Sequence, residues 1–135
     1  MTRVVSSPIG PGRTRIVHTP TGIEITTDVS PEFGGTGSSF SSTDLVSAAL
    51  GSCISSSLEP LLLRHGIALD AAQVIVDKEL ATDPKRISRL AVQVTIAAAA
   101  DERLATMLER AAHTCTVHRS LHPDIDSPVE IVFSG

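Results

Sequence analysis

The apolar positions of this chain recur with two different periods, about two residues in some segments and about 3.6 residues in others. Residues 13–19 and 22–29 alternate apolar and polar side chains around the turn sequence Thr-Pro-Thr-Gly, which predicts a β-hairpin. Residues 71–81 and 87–98 alternate in the same way around a second tight turn. A short apolar run at 128–134 predicts a last strand.

A long segment in the middle of the chain carries the helical period instead. It begins at Ser42, a good N-cap, and ends near Leu63–His65, with Gly66 as the expected stop. Pro60 lies inside this helix and is expected to kink or split it, because its ring clashes with the carbonyl of Ser56. The apolar stripe of the helix consists of Leu45, Val46, Ala49, Leu50, Cys53, Ile54 and Leu58.

The remaining segments complete an α+β pattern. A second helix is predicted from the cap residue Asp101 to about His113, and a short helix or turn follows Cys115. Residues 1–12, which hold two Pro and two Gly, predict a short strand or arm. The element order, β-β-α-β-β-α-(α)-β, is typical of an α+β fold with antiparallel hairpins. The length predicts a single domain over residues 1–135.

Composition and charge narrow the class of partner. The only aromatic residues are three Phe, so we expect the Ala, Val, Ile and Leu core to need a partner subunit. The net charge of −4 and the absence of a basic cluster argue against nucleic acid. No stretch approaches about 18 uncharged apolar residues, and the N-terminal segment lacks the apolar core of a secretory signal. We therefore expect a cytoplasmic protein without a membrane span, in which a cysteine pair indicates redox chemistry or metal binding.

Cys53 lies on the apolar stripe of the long helix, where an inert core thiol is the simplest interpretation. Two features favour a functional thiol. Gly51 costs about 1 kcal/mol relative to Ala in a helix interior, which suggests close approach by another backbone or by a substrate. The neighbouring residues are also small. A nucleophilic Cys53 must be a thiolate, but it lies too far from the helix N-terminus for the dipole to act. It would therefore need a cation from elsewhere, and Arg13 and Arg15 of the first hairpin are candidates.

Cys115 has a different local sequence. His113, His118 and Arg119 surround it, so by sequence alone it is the more activated of the two thiols, although a cysteine without a role is equally compatible. His113, Cys115, His118 and His122 are also plausible zinc ligands, but their spacing matches no compact zinc motif, and we expect no metal. The other histidines, His18 and His65, are expected at the surface.

Residues 30–42, which are rich in Gly and Ser, form the expected loop before the long helix. The segment lacks the Lys of a Walker motif, and its glycines do not fit G-x-G-x-x-G, so it is not a phosphate-binding loop. The simplest interpretation is a flexible lead-in to the helix. A Ser-His-Asp enzyme is also disfavoured, because the chain has no G-x-S-x-G elbow.

The segment FGGTGSSFSSTDLVSAALGSCI, together with a second cysteine at Cys115, resembles the signature region of the OsmC/Ohr family. These are the osmotically inducible and organic hydroperoxide resistance proteins. The resemblance covers essentially the whole chain. It implies an intertwined homodimer in which an antiparallel sheet packs on a long, central, cysteine-bearing helix and the active sites lie at the subunit interface.

The resemblance also implies a two-cysteine peroxidase. Cys53 would attack the O–O bond of a hydroperoxide, and Cys115 would condense with the resulting sulfenic acid to a disulfide. Arg13 in GPGRTRIVHTPTG falls where the arginine that stabilises the thiolate is expected. No bound cofactor is implied, since an external dithiol, often lipoyl-linked, reduces the pair.

Two positions depart from the family pattern. Thr43 stands where the family often carries a glutamate that pairs with the arginine, with Asp44 one residue later, and Thr116 follows Cys115 where a proline is usual. The sequence therefore leaves two hypotheses. The first is a thiol-dependent hydroperoxide reductase, and the second is an OsmC-like dimeric stress or binding protein with little or no peroxidase activity.

Overall fold

The computed structural model describes residues 1–135, which form two compact units, Met1–Val46 and Ser47–Gly135. The single domain expected over the whole chain stays a prediction. The α+β class is confirmed. The strands are β1 (Val4–Gly10), β2 (Arg13–His18), β3 (Ile23–Asp28), β4 (Ala72–Ala81), β5 (Arg86–Ile96) and β6 (Val129–Phe133). The helices are α1 (Ser42–Arg64), α2 (Glu102–His113) and α3 (Thr116–Ser120).

The first unit contains a three-stranded antiparallel sheet in the order β1-β2-β3. The predicted hairpin is β2–β3, and the strand expected in residues 1–12 is β1. Many apolar side chains of this sheet are exposed, among them Val4 (56%), Ile23 (64%) and Ile25 (46%). The unit therefore keeps an apolar sheet face that no side chain of the unit buries.

The Gly-rich loop after β3 is folded around one buried carboxylate. Asp28 is 1% exposed and accepts hydrogen bonds from the amide and hydroxyl of Thr36 (3.0 and 2.5 Å) and from the amide and hydroxyl of Ser38 (3.1 and 2.6 Å). Gly35 must be glycine, because a Cβ there would collide with the Val29 carbonyl and the Asp28 carboxylate. The expectation of a flexible lead-in is therefore wrong, since Asp28 orders the loop.

The second unit contains the sheet β4-β5-β6. β4 and β5 form the predicted antiparallel pair, but β6 runs parallel to β5. The antiparallel sheet expected from the hairpins is thus mixed, because the chain crosses over through α2 and α3 before β6 and so returns in the same direction. The buried face of β5 carries the predicted apolar positions Leu90, Val92, Val94 and Ile96.

The ends of α1 follow local capping chemistry. The N-cap is Ser41 rather than the expected Ser42: the Ser41 hydroxyl accepts from the Asp44 amide (3.1 Å), and the Asp44 carboxylate accepts from the Ser41 amide (2.9 Å). Only Ser41 lies three residues before an acid, so only Ser41 can make this reciprocal pair. Gly66 adopts φ 68° and ends the helix as predicted. Pro60 does not split α1, which is continuous.

The buried face of α1 is narrower than the predicted stripe. It consists of Leu50, Ile54, Leu58 and Leu62. Cys53 lies beside this row and is only half-buried. By length and composition alone, α1 could cross a membrane, but the core helix of a water-soluble protein passes the same test. Only 22% of its most apolar stretch is buried in this chain, and the remaining residues of the helix are half-buried or exposed.

Candidate functional site: a thiol pair held by α3

The second unit brings the two cysteines together. Cys53 lies in the middle of α1, and Cys115 is the N-cap residue of α3, where its sulfur accepts a hydrogen bond from the His118 amide at 3.4 Å. The fold places the two sulfurs within hydrogen-bonding reach of each other, and both thiols are free. Two cysteines that are distant in sequence thus form one site in which a disulfide could close.

Backbone amides of α3 lower the pKa of Cys53. The Val117 amide donates to the Cys53 sulfur at 3.5 Å and is the largest cause. Partial burial opposes it, and the Cys115 thiol, the Thr116 amide and the Ser57 hydroxyl add further donors that lower the pKa. These donors stabilise the thiolate, which is the nucleophilic form of cysteine.

Cys115 shows the opposite behaviour. Its side chain is 4% exposed, and this burial raises its pKa, as does the neighbouring Cys53 sulfur. The sequence-based interpretation of Cys115 as the more activated thiol is therefore wrong. The imidazole rings of the flanking histidines bond to each other rather than to its sulfur, and Arg119 is exposed. Burial dominates, and Cys115 remains a thiol that donates to Cys53.

Sequence reasoning missed the residues that activate Cys53. Nothing in the local sequence indicates the Thr116 and Val117 amides, because they lie far along the chain and act through backbone groups. Ser57 could have been found, since a hydroxyl four residues after a helical cysteine lies on the same face. Its hydroxyl donates to the Cys53 carbonyl at 2.8 Å and also reaches the sulfur.

Gly51 was expected to permit close approach by another backbone or by a substrate. Within the second unit, a Cβ at Gly51 would meet only the Val76 side chain of β4, at 3.4 Å, which is an ordinary contact. No backbone of this unit crowds the glycine.

The histidine cluster does not form a metal site. No three His, Cys, Asp or Glu side chains are grouped so that they could hold an ion. Nδ1 of His113 lies 3.3 Å from Nε2 of His118, and His122 lies apart, 3.7 Å from the carboxylate of Asp124.

The remaining predicted residues lie in the first unit. Arg13 begins β2, is exposed and pairs in register with Asp28. Its assignment as the cation beside Cys53 stays a prediction. The Thr43 hydroxyl lies 3.2 Å from the Ser41 hydroxyl, so the position of the family glutamate is part of the cap that starts α1.

Comparison with known proteins agrees with this thiol-bearing α+β fold. The model of the OsmC family, described as OsmC-like protein, matches residues 35–130, which include both cysteines. The chain belongs to the OsmC family. No curated protein matches the sequence.

Solved structures of OsmC-family proteins share the fold over 97–98% of this chain. A protein from Psychrobacter arcticus 273-4, named for osmotic stress induction and a detoxification response, is 31% identical, with a TM-score of 0.89 and coverage of 97% of this chain and 96% of that one. The organic hydroperoxide resistance protein OsmC of Legionella pneumophila (16% identity, TM-score 0.78, coverage 98% and 96%) is similar in fold. The organic hydroperoxide resistance protein OhrB of Bacillus subtilis is also similar in fold (18% identity, TM-score 0.72, coverage 97% and 97%).

Proposed function

We propose that this OsmC-family protein is a thiol-dependent peroxidase that reduces organic hydroperoxides in defence against oxidative stress. The observation that carries the proposal is the asymmetric thiol pair: the pKa of Cys53 is lowered by amide donors, while that of Cys115 is raised by burial. The names of the Legionella and Bacillus relatives, which refer to organic hydroperoxide resistance, support the substrate class.

In this proposal Cys53 is the peroxidatic residue. Its thiolate attacks an oxygen of the hydroperoxide, the O–O bond breaks, and the alkoxide takes a proton and leaves as an alcohol. Cys53 becomes a sulfenic acid, which lies on the reversible part of the oxidation series.

Cys115 is the resolving residue. Its sulfur attacks the sulfenic sulfur of Cys53, an S–S bond forms as the S–O bond breaks, and the displaced hydroxyl takes the proton of the Cys115 thiol and leaves as water. An external dithiol, for which a lipoyl group is our candidate, reduces the disulfide and restores both thiols. The protein then needs no bound cofactor, and the reaction suits a reducing cytoplasm.

Arg13 completes the proposed site as the cation that stabilises the thiolate. Its support is the resemblance to the family pattern. The amide donors already lower the pKa of Cys53, so Arg13 would add to this effect. Replacing Arg13 with Ala should then slow Cys53 alkylation at neutral pH, whereas replacing the neighbouring Arg15, which lies 4.0 Å from Glu24, should not.

We also propose that the active form is a homodimer. The sheet of the first unit leaves Val4, Ile23 and Ile25 exposed, and the part of α1 that lies in the second unit is buried along one narrow row only. Exposed apolar surface of this kind is typical of a protein interface. Sedimentation should give twice the chain mass, and a stable monomer would contradict the proposal.

A second candidate function is a dimeric stress or binding protein with little peroxidase activity. Thr43 favours it, because the acidic partner of the family arginine is absent at this position. The first function predicts hyper-reactive Cys53, whereas the second is compatible with a thiol of ordinary reactivity.

Stopped-flow consumption of cumene hydroperoxide with a dithiol tests the proposal. The wild type should turn over, and C53S should consume nothing above the uncatalysed rate. In the absence of the dithiol, C115S should consume one equivalent and leave a trappable sulfenic acid at Cys53. Wild-type rates in C53S would contradict the assignment. An inactive wild type with an ordinary Cys53 would favour the second candidate.

A further inference from the structure

The helix α3 supplies the thiol site with donors, although it is too short to fix its own position. It has five residues, whereas isolated helices are marginal below about 12–15 residues, and none of its side chains is fully buried. Its backbone nevertheless donates from Val117 to the Cys53 sulfur and from His118 to the Cys115 sulfur. Contacts outside α3 must therefore hold these amides in place.

A pair of histidines joins α3 to α2. Nδ1 of His113 lies 3.3 Å from Nε2 of His118, and the rings meet edge to face with centroids 4.9 Å apart. This is the one side-chain hydrogen bond between the two helices. His113 is the last residue of α2, a helix anchored by three buried side chains. The bond therefore connects the short helix α3, which has no fully buried side chain, to the well-packed helix α2. The three buried side chains are Leu104, Leu108 and Ala112.

Neither histidine ring has another evident task. The rings are not part of a group that could hold a metal ion, they form no ion pair, and neither hydrogen-bonds a cysteine sulfur.

We propose that His113 and His118 are positioning residues for the thiol chemistry: their hydrogen bond holds α3 at the end of α2, so that the Val117 amide stays on the Cys53 sulfur. The role of that sulfur as a peroxidatic thiolate rests on the proposed function. The positioning effect itself is measured at the sulfur without any peroxide.

The two nitrogen atoms of the pair differ in their distance along the side chain, which provides a matched test. Gln at position 118 places an amide nitrogen where Nε2 of His118 lies, whereas Asn is one bond shorter. At position 113 the preference reverses, because Asn places its nitrogen where Nδ1 of His113 lies and Gln overshoots. General destabilisation does not produce such a crossed pattern.

The measurement is the alkylation rate of Cys53 at neutral pH, resolved by mass spectrometry, with the melting temperature recorded for each variant. We expect H118N and H113Q to slow alkylation by about tenfold, as for loss of one donor to a charged sulfur. H118Q and H113N should stay within about twofold of the wild type. H122N, which changes an exposed histidine outside the pair, should leave the rate unchanged.

Equal rates for Gln and Asn at both positions would overturn the proposal, whether the rates are normal or slow. Lower melting temperatures with normal Cys53 rates would assign the pair a purely structural role and also overturn it. If one variant does not fold, the comparison at the other position still decides. A wild type that fails to reduce hydroperoxide would contradict the proposed function, but the alkylation comparison would still test the positioning role of the two histidines.

Discussion

Two places in this molecule stabilise a negative charge with neutral hydrogen-bond donors. In the first unit, Asp28 accepts from the amides and hydroxyls of Thr36 and Ser38, and these bonds hold its pKa far below the usual range. In the second unit, Cys53 accepts from Val117 and weaker donors, and its pKa is lowered as well.

The two sites differ in how many of the acceptor atoms are hydrogen-bonded and in how exposed the charged side chain is. Both carboxylate oxygens of Asp28 are used, and the side chain is 1% exposed, so the charge orders a loop and has no room to react. Cys53 is half-buried, and the principal donor to its sulfur is at 3.5 Å. Neutral hydrogen-bond donors therefore make Asp28, whose two oxygens both accept hydrogen bonds, a structural group. They leave the partly exposed Cys53 able to react.

Replacing Asp28 with Ala should have the largest effect on stability. Four donors would lose their acceptor inside a tight loop, and the melting temperature should fall by on the order of 10 °C. E32A, at an exposed carboxylate of the same loop with one 3.3 Å bond to Ser30, is the control. An unchanged melting temperature in D28A would show that the loop does not depend on this charge.

Low pH should reduce the contribution that Asp28 and its loop make to the stability of the folded chain. Folded Asp28 stays ionised at a pH where the unfolded chain, with an ordinary value of 3.8, binds a proton. The unfolded state thus binds more protons, so the contribution is complete above about pH 5 and is lost as the pH falls further. Urea midpoints for wild type and D28N should differ at pH 7, and the difference should narrow progressively as the pH falls below about 5. A difference that stays constant would refute this linkage.

Proline substitutions at Val117 and Thr116 of α3 should slow the reaction of Cys53 by different amounts. V117P removes the principal amide donor to Cys53 and should slow its alkylation at neutral pH by about tenfold. T116P removes a lesser donor and should slow it by only about twofold to threefold. Cys115 already has the extended backbone that precedes proline, so T116P should fold well. A larger effect from T116P than from V117P would contradict the ranking of donors.

Gly51→Ala should have the smallest effect. A Cβ there makes only an ordinary contact with Val76, so the higher helix propensity of Ala should stabilise the chain by up to about 1 kcal/mol. Chemical denaturation measures this directly. A loss of stability together with a loss of dimer would instead place a second subunit against Gly51.

The parts of the fold that depend on local chemistry were predictable. The hairpin β2–β3, the Asp101 cap and the Gly66 stop follow from turn residues, capping side chains and periodicity. The parallel pairing of β6 was not predictable in this way, because strand direction depends on the crossover and not on the strand sequence.

The candidate site was predictable in its thiols but not in its electrostatics. The family pattern identified Cys53 and Cys115, whereas the flanking residues suggested the wrong order of reactivity. Burial of Cys115 and the amides that reach Cys53 both arise from tertiary structure. The carboxylate of Asp28 was missed for a similar reason, since its donors lie in a loop whose composition indicated flexibility.

The central claim is that Cys53 is the activated thiol and Cys115 the buried, protonated one. Alkylation of the reduced wild-type protein between pH 6 and 10, with each cysteine quantified by mass spectrometry, tests it most directly. We predict that Cys53 reacts first, with a titration midpoint below that of an ordinary thiol, and that Cys115 reacts later, with a midpoint above it. Cys115 reacting first, or both cysteines titrating together at the ordinary value, would contradict the account.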